Sequence, residues 1–532
     1  MMKHLSRISA LSVSLLFMAG CGWFDKKPEI AKKFEEHYQN KLYADFDTLK
    51  YRDEFMRQYE LAKARFRNPK TILNFYEQNK FEPVLVDRFQ ISGQLKTLAR
   101  YVQDADTHGF DAALFRGNKI DSLSTLIDSN RFATVDEVYP VMAKLELYSA
   151  DAIVNYTNVM QFGAINPKNL FFRYYMPVKR PDSTWMAGAL NTPDLKKLLD
   201  DVQPKSPEYP ALQKNYIRLI GSGRHDSLTR DSIRTVLVNM ERFRWKIPER
   251  GKRFIAVNIP DFRLTYINAD TVVAQMKVCV GERREEGFDE KFKNYLKTKN
   301  IDDRPMNHET AILASEITTL QLNPVWNIPR SIAQSEIYWS ARKNPFYLTD
   351  NGIRVYRGGQ KVENPDTINW RAIPRDKIPY KFKQSPGEIN ALGKFKFIFN
   401  NENSIYLHDT PNKLAFSKKN RAVSHGCVRV EDPLKLVDVL VNDSNRLDRV
   451  RLDVGLKPML VKNQEKYADW IAARDTAEAE LRSRWMKLEQ PVPLFIDYYT
   501  CWPDSKGGLV WRPDVYKMDE ILAKALKKYW VK

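Results

Sequence analysis

The densest concentration of reactive side chains in this sequence is the run Ser424-His425-Gly426-Cys427-Val428-Arg429. His408 lies 16 residues before Ser424, within Tyr406-Leu407-His408-Asp409-Thr410-Pro411. The chain has only 7 histidines, so two of them beside one cysteine form a chemical pattern. A cysteine nucleophile acts as its thiolate, generated by an adjacent imidazole or another cationic influence. The imidazole needs a third group to fix its tautomer. The segment supplies the nucleophile, Cys427, and two candidate bases, His408 and His425. On a strand, His425 and Cys427 would share a face, since side chains alternate with a period of two. Gly426 lacks the side chain that would keep a substrate from the neighbouring backbone.

These residues must be positioned by strands. From Phe254 the hydrophobic period becomes two, and 254–259 and 271–278 read as strands separated by turn residues. Everything before is helical: 72–76 and 95–102 each offer a buried face, and 138–159 is a long periodic helix ended by Gly163 and Pro167. Residues 181–210 read as a polar, proline-containing linker, 232–245 as a helix, and 281–306 as a solvated charged loop. Residues 464–487 read as a helix rich in Ala, Glu and Arg, 493–499 as a strand, and 518–530 as a closing amphipathic helix. The fold class expected is α+β, a helical scaffold followed by a mostly-β domain.

The chain has 532 residues, enough for several cores. The division expected is 1–20 signal peptide, 21–67 tether and first helix, 68–235 helical scaffold, 236–462 catalytic domain, and 463–532 a C-terminal extension packing on it. The net charge of +19 suits an anionic partner. Zinc-finger spacing, basic heptad helices and aromatic RNA-binding motifs are absent, so nucleic acid is not the expected partner. No metal-ligand cluster and no cofactor motif is seen. Basic Lys3, His4 and Arg7 precede a 13-residue apolar run, too short to span a bilayer but suited to an export signal. Its end, Met18-Ala19-Gly20-Cys21, resembles a bacterial lipobox, which implies cleavage before Cys21, lipidation of its thiol and attachment to a membrane on the periplasmic side. Cys279 and Cys501 are expected to be free thiols.

The order His408, then Ser424-His425-Gly426-Cys427, resembles the signature of the L,D-transpeptidases, whose catalytic domain is of the YkuD type. Asn323-Pro324-Val325-Trp326-Asn327-Ile328-Pro329 and Pro386-Gly387-Glu388-Ile389-Asn390-Ala391-Leu392-Gly393 extend the likeness to the large YcbB-like subfamily, over roughly residues 240–460. The resemblance implies that Cys427 is the nucleophile, His408 the base and the backbone carbonyl of Asp409 its orienter. It implies an oxyanion hole built from N–H groups around Gly426 and Cys427. It puts Tyr406, Ser424, His425 and Arg429 around the substrate, and a mobile lid at about 328–389 over the cleft. The activity implied is cross-linking of peptidoglycan stem peptides: Cys427 attacks a tetrapeptide stem, expels its last residue, and passes the acyl group to an amine, usually 3→3. The alternatives are an L,D-carboxypeptidase that hydrolyses the same thioester and a non-catalytic envelope scaffold. The glycan-binding module common in the subfamily has at most 212–232 in its place here.

Overall fold

The switch from helical to strand period falls at residue 253, and the fold turns there as well. The structure, a computed structural model, describes residues 28–476 and 481–531; the signal and lipidation expectations at 1–20 and Cys21 lie outside them. It is an α+β chain of two compact units, 1–100 with 116–153, and 101–115 with 154–532.

The first unit is helical. Thr48–Ala62, Pro69–Gln78, Val84–Phe89 and Gly117–Ser129 bury Tyr51, Phe55, Ile72, Tyr76, Val86 and Ile120. The helix Val135–Phe162 carries a carboxylate, Glu146, into this core. Glu146 accepts hydrogen bonds from the backbone N–H of Leu85 (3.2 Å) and Val86 (2.6 Å), the first turn of Val84–Phe89, and from the Tyr76 phenol (2.5 Å). A helix N-terminus has orphan donors and a positive dipole end, so this carboxylate caps a neighbouring helix. Burial still pushes its pKa up to about 7.

In the second unit, residues 181–210 do not form a linker. Ser183–Leu190 and Leu195–Asp201 are helices capped by Asp182 and Asp194, and Pro210 sits in the first turn of Tyr209–Gly221. Proline is compatible with a helix start, where its missing N–H is not needed. Residues 212–232 lie within the helices Tyr209–Gly221 and Ser227–Arg244 and the turn between them.

The strands form a nine-stranded sheet in the order 422–424, 271–281, 428–430, 407–408, 395–399, 313–322, 484–497, 253–258, 263–268. Arg263–Asn268 also pairs with Thr271–Gly281, so the sheet closes on itself. Closure pairs the strands from Arg253–Asn258 round to Thr271–Gly281 on both sides and fills the interior with alternate residues: Val257, Leu264, Met276, Val278, Leu320, Phe397, Leu407, Val428, Val430 and Leu494 are all buried. The Val278 N–H bonds Phe262 O, while Val280 and Glu282 bond Arg421 O and Ser424 O. Ala422–Ser424 thus takes over the edge of Thr271–Gly281 where Arg263–Asn268 stops.

Two segments depart from the expectations. Residues 281–306 contain the helix Phe288–Thr298 instead of a plain loop. The helix expected over 464–487 ends at Thr476, and Arg484–Asp497 is a strand between Leu313–Leu322 and Arg253–Asn258. The C-terminal segment is therefore part of the closed sheet as well as packed on it. Among the described residues no helix is long and apolar enough to cross a membrane, and Cys279, Cys427 and Cys501 are free thiols.

Between Leu313–Leu322 and Phe395–Phe399 the chain builds a separate small layer. Trp326–Ile328, Tyr380–Gln384, Ile353–Arg357 and Gln360–Lys361 form a four-stranded sheet. It has its own core of Ile332, Ile337, Leu348, Val355, Trp370 and Phe382. This is the segment expected as a lid.

Candidate active site

Register decides what meets the sulfur. Leu407–His408 runs parallel to Val428–Val430, with Leu407 opposite Val428 and His408 opposite Arg429. Leu407 and Val428 point into the core, so Tyr406, His408, Cys427 and Arg429 fall on the other face, by the alternation of side chains. That face floors a cleft of about 800 Å³ that all four residues line. Cys427 is partly exposed there, and His408 is buried.

Tyr406, through its backbone and its phenol, opposes the upward push of burial on the Cys427 thiol. Among the described residues no hydrogen bond joins the sulfur to His408 or His425. The reason is the register: Tyr406 is level with Cys427, and His408 is one step beyond, level with Arg429. The Tyr406 and His408 rings are 5.6 Å apart, and Lys396, paired with His408 on the next strand, holds its ammonium 3.9 Å from the Tyr406 ring centre.

His408 Nδ1 is 2.5 Å from the carbonyl oxygen of Asp409, so it donates and Nε2 is the acceptor nitrogen. The Asp409 carboxylate holds the turn: it accepts from Lys394 N–H (2.9 Å), Thr410 N–H (2.7 Å) and Lys413 Nζ (2.8 Å). Burial, with Arg429 and Lys396 nearby, lowers the His408 pKa to about 3. Burial raises that of Cys427, opposed by Tyr406, Lys396 and Arg429. Both shifts favour a neutral thiol and a neutral imidazole.

The turn before the sulfur is held from below. Ser424 Oγ donates to Cys427 O (2.6 Å) and accepts from Gly426 N–H (3.2 Å). The Gly426 N–H expected in an oxyanion hole is thus engaged with Ser424. Gly426 has φ +118°, which favours glycine. Thr310 Oγ1 donates to Gly426 O (2.9 Å) and accepts from Gly281 N–H (2.8 Å). The Tyr516 phenol donates to Gly281 O (2.7 Å) and accepts from Thr310 N–H (3.1 Å). Gly281 admits no side chain, because a Cβ there would stand 1.7 Å from His308 O.

His425 points the other way, toward the lid. Its Nε2 meets the carboxylate of Glu336, which sits on the one-turn π-helix Ala333–Ile337. Its ring meets that of His308 at 4.5 Å. Sequence reading missed His308, Glu336, Lys396, Thr310 and Tyr516. Only His308 carried a signal, as another member of a scarce residue type. Among the described residues, no cluster of three or more His, Cys, Asp or Glu could hold a metal ion.

A single cysteine on the same cleft face as an oriented imidazole, on a closed sheet, is a site suited to covalent acyl chemistry. Residues 252–452 match the model of the L,D-transpeptidase catalytic domain, YkuD, and residues 70–215 match that of the Scaffold domain. The chain thus carries a YkuD-type L,D-transpeptidase catalytic domain together with a Scaffold domain, the YcbB-like architecture. It is 26% identical over 360 residues to a protein of Haemophilus influenzae that carries the name "Putative L,D-transpeptidase". That alignment covers 66% of this chain, and the chain spans 62% of the relative's length.

Proposed function

We propose that this protein is a peptidoglycan L,D-transpeptidase that forms 3→3 cross-links through a thioester on Cys427. His408 Nε2 takes the thiol proton as the sulfur attacks the carbonyl of the third stem residue, and returns it to the departing terminal amino acid. The Asp409 carbonyl keeps the ring in the accepting tautomer. Tyr406 and Arg429 steady the negative charge that develops at sulfur and substrate. Since Gly426 N–H is engaged, the Cys427 N–H and the Tyr406 phenol are the nearer candidates for oxyanion donors. The lid over 328–389 keeps water from the thioester while an amine approaches. Within the same proposal the chain is exported and tethered to a membrane through Cys21.

The observation that carries this reading is the partly exposed Cys427 on the same cleft face as a buried histidine whose Nδ1 is already engaged. Incubation of the purified protein with tetrapeptide stems tests it. Cross-linked dimers that vanish in Cys427→Ala are expected; tripeptides alone would establish trimming by water instead. Intact-mass analysis after carbapenem treatment is expected to give one covalent adduct, lost in the same variant.

A further inference from the structure

The chemistry at Cys427 and His408 leaves one charged cluster in the cleft without a task. Two carboxylates line that cleft among the described residues, Asp302 and Glu336. Asp302 is bound to Arg375 at 2.6 Å. Glu336 instead pairs with His425, and both stay accessible, with 47% and 34% of their side chains exposed. His308 flanks His425, and Glu282 lies 3.7 Å behind His308. The other charges lining the cleft are Arg173, Arg304, Arg375 and Arg429, which suit a peptide rich in carboxylates. Such a lining repels an incoming ammonium except at its two carboxylates, and of these Glu336 is the one that meets His425, two residues before the sulfur.

We propose that Glu336, with His425, is the acceptor subsite, binding the ammonium of the second stem peptide and taking its proton two residues from the acylated sulfur. The proposal rests on the transpeptidase reading above. The ammonium docks on Glu336 and gives one proton to His425. The free amine attacks the thioester carbon, the N–C bond forms and the C–S bond breaks. The second amine proton passes to the Cys427 sulfur by way of His408, and His425 returns its proton to solvent. Because Glu336 belongs to the lid, the closed lid itself completes the acceptor site, and the acyl group meets an amine where it would otherwise meet water. The π-turn that carries Glu336 is a form of helix found often at functional sites.

The test is steady-state transfer from a tetrapeptide donor to a tripeptide stem ending in diaminopimelate, with wild-type, Glu336→Gln and Glu336→Asp proteins. Thioester hydrolysis without acceptor is measured alongside. Glu336→Gln is expected to raise the KM for the acceptor about tenfold or more and to lower the ratio of dimer to tripeptide, with Glu336→Asp recovering most of the loss. An unchanged acceptor KM with faster hydrolysis would show that the pair is only a clasp on the lid and overturn the proposal. If the wild-type protein forms no thioester from the donor, the transpeptidase reading itself falls, and the missing acyl-enzyme mass distinguishes that failure.

Discussion

The helical unit and the closed sheet each bury an ionisable centre, and they treat it in opposite ways. Glu146 is fully buried and surrounded by three donors, Tyr76, Leu85 and Val86. Cys427, His408 and His425 share a cleft of about 800 Å³, and the acceptor nitrogen of His408 has no protein partner among the described residues. A polar group whose bonding capacity is filled by the fold stabilises the fold. One left with capacity facing a cleft has something to do with what enters it. Both units carry perturbed pKa values, so perturbation alone does not distinguish them; the unfilled valence does.

The largest effect that would sharpen this contrast is expected at His408. His408→Gln removes the imidazole that accepts the proton. Formation of the acyl-enzyme should slow by about 10²–10⁴-fold, with little change in melting temperature. Rapid-mixing mass spectrometry of the carbapenem adduct measures it. An unaltered rate would shift the role of base to another group and break the comparison on its functional side.

Glu146→Ala should do the reverse. It strands three buried donors at once, at a cost of about 3 kcal/mol or more. Urea unfolding of the full chain should show a lower first transition, while the folded protein cross-links at the wild-type rate.

The two centres also oppose each other in pH. The folded pKa of Glu146 is raised from 4.5 to about 7, so its contribution is complete below 4.5 and is lost as pH rises through 7. The folded pKa of His408 is depressed from 6.5 to about 3, so its contribution is present above 6.5 and is lost as pH falls toward 3. The stability profile should therefore fall on both sides. Glu146→Gln should flatten the alkaline limb, by about 1–3 kcal/mol across its window. His408→Gln should reduce the acid limb without abolishing it, because His108, buried beside Arg244, is lowered to about 3 as well. Thermal melts from pH 4 to pH 9 (about 0.5-unit steps suffice, given shifts of a unit or more) decide it.

What was legible in the sequence was short-range. The spacing of His408 and Asp409, at the end of one strand, and the run from Ser424 to Arg429, across one tight turn between two strands, could be read because each is contiguous. The change of period near residue 253 marked the boundary between helices and sheet. What could not be read depends on pairing between distant segments. That Tyr406, and not His408, is level with Cys427 follows from a parallel register that nothing local encodes. Glu336 comes to His425 only when a separately cored lid folds over. The strand Arg484–Asp497 was hidden by its flanks: it contains Pro491 and Pro493, its pairing shifts between Lys487 and Val492, and it follows a segment with helical composition. Proline within a strand usually argues against one, and a break in register is where it can be accommodated.

The smallest expected effect probes how the open site borrows rigidity from closed bonding like that around Glu146. Tyr516 is 89 residues from Cys427 in sequence, yet its hydroxyl joins Gly281 O to Thr310 N–H, and Thr310 holds Gly426 O. Tyr516→Phe removes the hydroxyl and keeps the ring, which packs near Tyr498 with 5.8 Å between centres. One donor and one acceptor lose a buried partner, a cost of about 1–3 kcal/mol. Part of that cost should fall on the geometry of the turn, because Gly281 and Gly426 have no side chains to resist its collapse. The expected result is a turnover lower by about three- to tenfold with donor KM unchanged, since the binding surface is untouched while the nucleophile is less well aimed. Thr310→Ser, which keeps the hydroxyl on Gly426 O, should retain most of the activity, whereas Thr310→Val should match Tyr516→Phe. If all three variants lose stability and none loses turnover, the support beneath Gly426 serves the fold alone, and Tyr516 belongs with Glu146 on the structural side of the comparison.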